Sequence, residues 1–197
     1  MKIILIHGFK ATSQSHFFPW LRNELHARGH EVIVPDLPNP EEPDPEVWTK
    51  FLVDEMSALD EDTIIVGHSL CGAAALRFLE GAEARATPKA LILIATPWMI
   101  RDEKFRGFFL SELDFDVLMW KASRFVVMHA KDDPTIPFDH ALKYQKVLHA
   151  NLIEVPGAGH FRGTEYPAVL GAIEIVIGEK LVYEPGLSLE NELAGMH

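Results

Sequence analysis

Cysteine is almost absent: Cys71 is the only one in 197 residues. This excludes an internal disulfide framework and fits a reducing compartment. No Cys/His pair has zinc-ligand spacing, so neither a structural metal nor a cofactor is expected. Long apolar runs are missing as well, and none approaches the length of a membrane-spanning helix. The opening stretch Met1-Lys2-Ile3-Ile4-Leu5-Ile6 is too short for a signal peptide and runs straight into a His-Gly motif. A cytoplasmic protein is expected. Internal repeats and low-complexity tracts are also lacking. Positive charge is scarce: 18 Lys and Arg against 29 Asp and Glu give a formal net charge of −11. That balance disfavours nucleic acid or an anionic membrane as a partner.

The chain has what one soluble domain needs. Its hydrophobic fraction of 48% and charged fraction of 24% are ordinary, and its length supports a substantial core. Short apolar runs alternate with longer amphipathic ones. Strands are predicted at Lys2–Ile6, Glu31–Val34, Thr63–Val66, Ala90–Ala95, Arg124–Met128 and Asn151–Val155. Helices are predicted at Phe18–Arg28, Pro45–Ala58, Leu70–Glu80, Asp139–Leu148 and Tyr166–Ile177, with Gly29 and Gly81 as C-terminal caps. The alternation reads as an α/β domain with a parallel sheet, whose ligands bind beyond the carboxyl ends of the strands. The proline- and acid-rich segment 37–45 reads as a solvated surface loop near the rim of the site, with a substrate-facing loop as the second reading. Segment 98–120, with Phe105, Phe108, Phe109, Phe115 and Trp120, is either a covering helix or a small lid, and a covering helix is the preferred reading. Four scattered histidines, His26, His30, His140 and His149, read as surface residues. Residues 1–180 are taken as one domain and 181–197 as a tail.

The stretch Ile64-Ile65-Val66-Gly67-His68-Ser69-Leu70-Cys71-Gly72-Ala73 carries the functional signal. A β-branched run stops at Gly-His-Ser, and an Ala-rich helix former begins at once. A strand turning sharply into a helix exposes the serine at its tip, where a histidine can take its proton. The helix start aims backbone N–H groups at an anion forming there. A serine in this place can also simply cap a buried helix. Of the G-x-S-x-G pattern, Gly67 and Ser69 fit, Cys71 stands where the second glycine is expected, and Gly72 follows one place later.

A serine nucleophile needs a base and a group to orient that base. His160 lies in the glycine-rich stretch Pro156-Gly157-Ala158-Gly159-His160-Phe161 after the last strand. Two acids, Asp132 and Asp133, follow the fifth strand. The order Ser, Asp, His is that of the α/β-hydrolases. Asp133 is preferred because it precedes Pro137 by four, as the acid of that fold does, and Asp132 is left to brace the turn. The oxyanion donors expected are the backbone N–H groups of Leu70 and Phe9.

With these residues in place the chain resembles the α/β-hydrolase superfamily. More narrowly, it resembles the small serine hydrolases related to retinoblastoma-binding protein 9 and YdeN-like proteins. The supporting residues are His7-Gly8-Phe9, Ser15-His16-Phe17-Phe18-Pro19-Trp20-Leu21, Gly67-His68-Ser69, Asp132-Asp133-Pro134 with Ile136-Pro137, and Gly159-His160-Phe161. The likeness spans about residues 1–178. It implies a compact three-layer hydrolase domain with a mostly parallel six-stranded sheet and a minimal lid. The function expected is hydrolysis of a small ester or related acyl bond through an acyl-enzyme, with a small-molecule acyl substrate. An interaction module on the same fold, binding a protein partner with weak or no catalysis, is the second reading. Acyl transfer or a lyase reaction on the same triad is the third. Cys71, two residues past the tip, is expected to point into the packing rather than act as nucleophile.

Overall fold

The computed structural model describes residues 1–56, 59–82, 87–110 and 112–178. The tail 181–197 and the last two residues of the helix expected at Pro45–Ala58 lie outside the described residues. Six strands form one sheet: β1 (Lys2–Ile6), β2 (Glu31–Ile33), β3 (Thr63–His68), β4 (Ala90–Ile94), β5 (Phe125–His129) and β6 (Asn151–Glu154). Their order is β2-β1-β3-β4-β5-β6, and every neighbouring pair is parallel. Parallel neighbours need crossovers, and the helices α1 (Phe18–Ala27), α2 (Pro45–Met56), α3 (Leu70–Gly81), α6 (Asp139–Leu148) and α7 (Pro167–Gly178) lie among them. Two short helices, α4 (Glu103–Arg106) and α5 (Phe115–Leu118), fall between β4 and β5.

The strands alternate between two cores. On one face Ile4, Ile6, Ile65, Leu91, Leu93 and Val127 pack with Trp48 and Leu52 of α2, the Ala-rich side of α3, and Tyr144 of α6. On the other, Ile3, Leu5, Ile64, Val66, Ile92 and Val126 meet Phe18, Leu21 and Leu25 of α1 and Val169 and Ile173 of α7. With both faces covered, the central strands are apolar at every position, which is why their runs show no period of two. The architecture is the three-layer α/β-hydrolase sandwich. No helix among the described residues is long and apolar enough to cross a membrane.

Several boundaries differ from the reading of the sequence. β3 continues through Gly67 and His68, so the strand runs up to the serine itself. Helix α3 does not stop before Gly81. It includes that glycine and is capped by Ala82 in an extended conformation. Gly29 does take the left-handed conformation, with φ 82°, directly after the cap of α1. The segment after β4 is neither one helix nor a free lid. Asp102 and Asp114 each accept a hydrogen bond from a backbone N–H two or three residues on, which starts two short helices in place of one long one. Phe108 and Leu118 sink into the core beneath, while Ile100 and Phe105 face the cleft described below. The expected surface residue His140 is half-buried, and its Nδ1 accepts from the Trp98 N–H at 2.9 Å.

Candidate active site

The site forms at the carboxyl edge of the sheet, where β1, β3, β5 and β6 end. Ser69 follows β3 with φ 55° and ψ −129°, a conformation that costs an L-residue about 1–3 kcal/mol. The surroundings hold it there. Its N–H donates to the Ile94 carbonyl at 2.8 Å, and the Gly72 N–H donates to the Ser69 carbonyl at 2.9 Å. The turn is tight enough that a Cβ on Gly67 would lie 2.8 Å from the Gly72 Cα and 2.9 Å from the Cys71 carbonyl oxygen. A Cβ on Gly72 would overlap the Thr96 side chain. The close approach that G-x-S-x-G assigns to its second glycine is therefore made here by Gly72, one place later. Cys71 is fully buried in the core, and burial pushes its thiol pKa well up, so it is neither exposed nor readily ionised.

Three side chains from three segments meet. His160 Nδ1 lies 2.8 Å from Asp133 Oδ2, and His160 Nε2 lies 2.9 Å from Ser69 Oγ. A carboxylate only accepts, so Nδ1 carries the ring proton and Nε2 is free to accept from the Ser69 hydroxyl. The Ser69 side chain makes no helix-capping bond. Asp133 is buried. Its Oδ1 accepts from the N–H groups of Thr135 at 2.7 Å and Ile136 at 3.0 Å. Burial raises its pKa, but the bonds from His160, Ile136 and Thr135 outweigh this and hold the carboxyl below its ordinary range. Asp132 turns elsewhere: its Oδ1 accepts from Gly157 N–H at 3.1 Å and ties the β5 loop to the loop that carries His160.

The neighbours of this trio are histidines: His7 and His68, which the motifs include without a role, and His129, which the sequence did not single out. His129 Nε2–H donates to the Ile136 carbonyl at 2.9 Å, and the same nitrogen lies 3.6 Å from Asp133 Oδ2. His68 Nε2–H donates to the backbone carbonyl of His160 at 3.0 Å, which ties the base's own loop to the elbow. His7 bridges its neighbours by accepting from the Leu37 N–H at 3.0 Å. Burial first, and the adjacent His160 second, pull the His68 pKa down to about 3. Its unfolded counterpart titrates near 6.5, so between about pH 6.5 and 3 only the unfolded chain takes up this proton. Stability is complete above that window and falls with decreasing pH within it, by up to about 1.4 kcal/mol per pH unit. Burial lowers His7, His16 and His140 in the same direction. The urea midpoint is therefore expected to drop steadily from pH 7 to pH 5. An unchanged midpoint would contradict a neutral buried His68.

A cleft opens over Ser69. The backbone of Gly8 and Phe9 after β1 forms one side, and Leu70 forms the floor. Gly8 is pressed against the elbow, since a Cβ there would lie 3.1 Å from both the His68 carbonyl oxygen and the Ser69 Cβ. Among the described residues, the N–H groups of Phe9 and Leu70 have no hydrogen-bond partner. The Phe9 ring meets that of Phe105 edge-on at 4.9 Å, making an apolar wall together with Ile100. His16, at φ 54°, and Arg162 complete the rim. Nothing local in the sequence pairs those two, because 146 positions separate them. Among the described residues no three His, Cys, Asp or Glu side chains are placed to hold a metal ion.

Comparison with known proteins agrees with this architecture. The profile of the family described as Serine hydrolase matches residues 3–167. YdeN of Bacillus subtilis (strain 168), a protein named as a hydrolase, is 33% identical over 166 residues, covering 81% of this chain and 85% of YdeN. The serine hydrolase RBBP9 of Rattus norvegicus is 24% identical over 165 residues, 82% of this chain and 86% of RBBP9. The crystal structure of YdeN superposes with a TM-score of 0.87 at 30% identity, covering 90% of this chain and 99% of that one. Est1E from Butyrivibrio proteoclasticus superposes at 0.67 with 16% identity, covering 90% and 88%, a likeness of fold alone.

Proposed function

The chain belongs to the serine hydrolase family, and from that premise we propose that it cleaves a small carboxylic ester or related acyl bond through an acyl-enzyme on Ser69. The observation that carries this reading is the continuous relay Ser69–His160–Asp133, with contacts of 2.9 and 2.8 Å. Ser69 Oγ attacks the acyl carbon while its proton passes to His160 Nε2. The carbonyl π pair moves onto oxygen, and the Phe9 and Leu70 N–H groups receive that oxyanion. The intermediate collapses, the C–O bond to the alcohol breaks, and the leaving oxygen takes the proton from His160. Water then repeats the sequence against the acyl-enzyme, giving its proton to His160 and releasing the acid from Ser69. Asp133 keeps the imidazole in the tautomer these steps need and stabilises it while it is charged. His160 is carried on a loop braced by Asp132 and His68.

The apolar wall of Phe9, Phe105 and Ile100 suits a small acyl or alcohol group. The relay needs no metal or cofactor, and the lone buried Cys71 fits a cytoplasmic setting. Stopped-flow assay with p-nitrophenyl acetate tests the reading. A burst of about one p-nitrophenol per protein, followed by a slower steady rate, is expected where deacylation is slower than acylation. An absence of any p-nitrophenol release from short-chain esters would favour a binding module on the same fold.

A further inference from the structure

The chain carries 29 acidic residues, yet among the described residues none lines the cleft over Ser69. The one side chain there with a permanent charge is Arg162, two residues past the base. Resting on the serine-hydrolase reading of this site, we propose that Arg162 binds a carboxylate on the substrate, so that the favoured esters carry an anionic group beside the scissile bond.

The backbone prepares Arg162 for this. Phe161 takes φ 54° and is fully buried against Tyr166, with ring centroids 5.0 Å apart. A left-handed residue between two others reverses the direction of the chain, so Phe161 goes into the core while Arg162 stays exposed at the cleft. The Arg162 carbonyl lies 3.3 Å from His16 Nδ1, whose N–H it accepts, and the following Gly163 N–H donates to Tyr166 Oη at 2.8 Å. The residue is thus pinned on both sides, while among the described residues its guanidinium has no ion-pair partner. That sets it apart from the nearby cations. Lys10 pairs with the Glu41 carboxylate at 3.5 Å, and Lys104 donates to the Glu41 carbonyl.

The chemistry favours a single negative charge. A guanidinium offers paired donors that match the two oxygens of a carboxylate. One such cation compensates one charge, whereas a phosphate dianion would leave a charge unmatched on a chain whose net charge is −11. Burial lowers the His16 pKa, which disfavours it as a second cation. The same cleft is lined by the aromatic pair Phe9 and Phe105, so the ligand is expected to carry an apolar group as well as an anionic one.

The rates at which matched fluorophosphonates label Ser69 test this. One probe ends in a methyl group, one in a carboxylate and one in a phosphate, on the same short chain. The wild type should favour the carboxylate probe over the neutral one by about tenfold or more. The ratio should fall to about one in Arg162→Gln, recover in part in Arg162→Lys, and keep its wild-type value in Lys146→Gln, which loses the same charge on α6. A ratio of one or less in the wild type, or a ratio unmoved by Arg162→Gln, would overturn the proposal while leaving the serine hydrolase intact. Faster labelling by the phosphate probe would overturn the choice of a carboxylate. No labelling of Ser69 by the neutral probe would instead defeat the underlying serine-hydrolase reading, and this proposal with it.

Discussion

Ser69→Ala is expected to lower kcat for ester hydrolysis between about 10⁴- and 10⁶-fold, the range that removing the nucleophile of such a unit costs. The fold should be unaffected. The elbow's conformation is held by backbone bonds from Ser69 N–H to Ile94 and from Gly72 N–H to Ser69, and alanine keeps both. Among the described residues, the one hydrogen bond the hydroxyl makes is to His160. Removing it also removes a strained residue's polar side chain at little cost to packing, so the thermal midpoint should stay within a few degrees of wild type. Loss of activity together with loss of folding would leave the elbow as a structural element. Retained activity in a folded variant would place the chemistry elsewhere.

The second large effect is expected from Asp133→Asn. The native carboxylate accepts from Thr135 and Ile136 through Oδ1 and from His160 through Oδ2. Asparagine can keep its oxygen on the two backbone N–H groups, which turns its NH₂ toward His160. A donor facing Nδ1 forces that nitrogen to accept, and the ring proton moves to Nε2, where it blocks transfer from Ser69. A loss in kcat of about 10⁴-fold follows from the wrong tautomer alone. Asp132→Asn is the matched comparison. Its oxygen can still accept from Gly157 N–H, so steady-state kinetics should show at most a several-fold change. Equal losses in the two variants would mean that the effect comes from distortion of the loop rather than from the base.

The sheet was legible because its strands are covered on both faces and so appear as bounded apolar runs, such as Ala90–Ile94 and Phe125–Met128. The end of β3 was harder to read. Gly67 and His68 look like a loop in sequence, yet both are buried strand residues, because the strand must carry Ser69 to the edge of the sheet. The segment after β4 misled in a different way. Its aromatic content suggested one covering helix, but the Asp102 and Asp114 caps divide it, and its apolar side chains split between core and cleft. At the site, the residues with motif spacing could be named one by one. Their supports could not, because they depend on distant pairings such as His68 with the His160 carbonyl, 92 positions away, and His16 with that of Arg162. The displaced glycine is the clearest case. Sequence showed Cys71 as a departure, and only the packing of Gly67 on Gly72 explains why the turn tolerates it.

The most direct test of an activated serine at position 69 is intact-mass spectrometry after treatment with an alkyl fluorophosphonate. The assembled relay predicts one adduct per wild-type chain, none on Ser69→Ala and at most slow labelling of His160→Ala. No adduct on the folded wild type, or an equal adduct on Ser69→Ala, would contradict it.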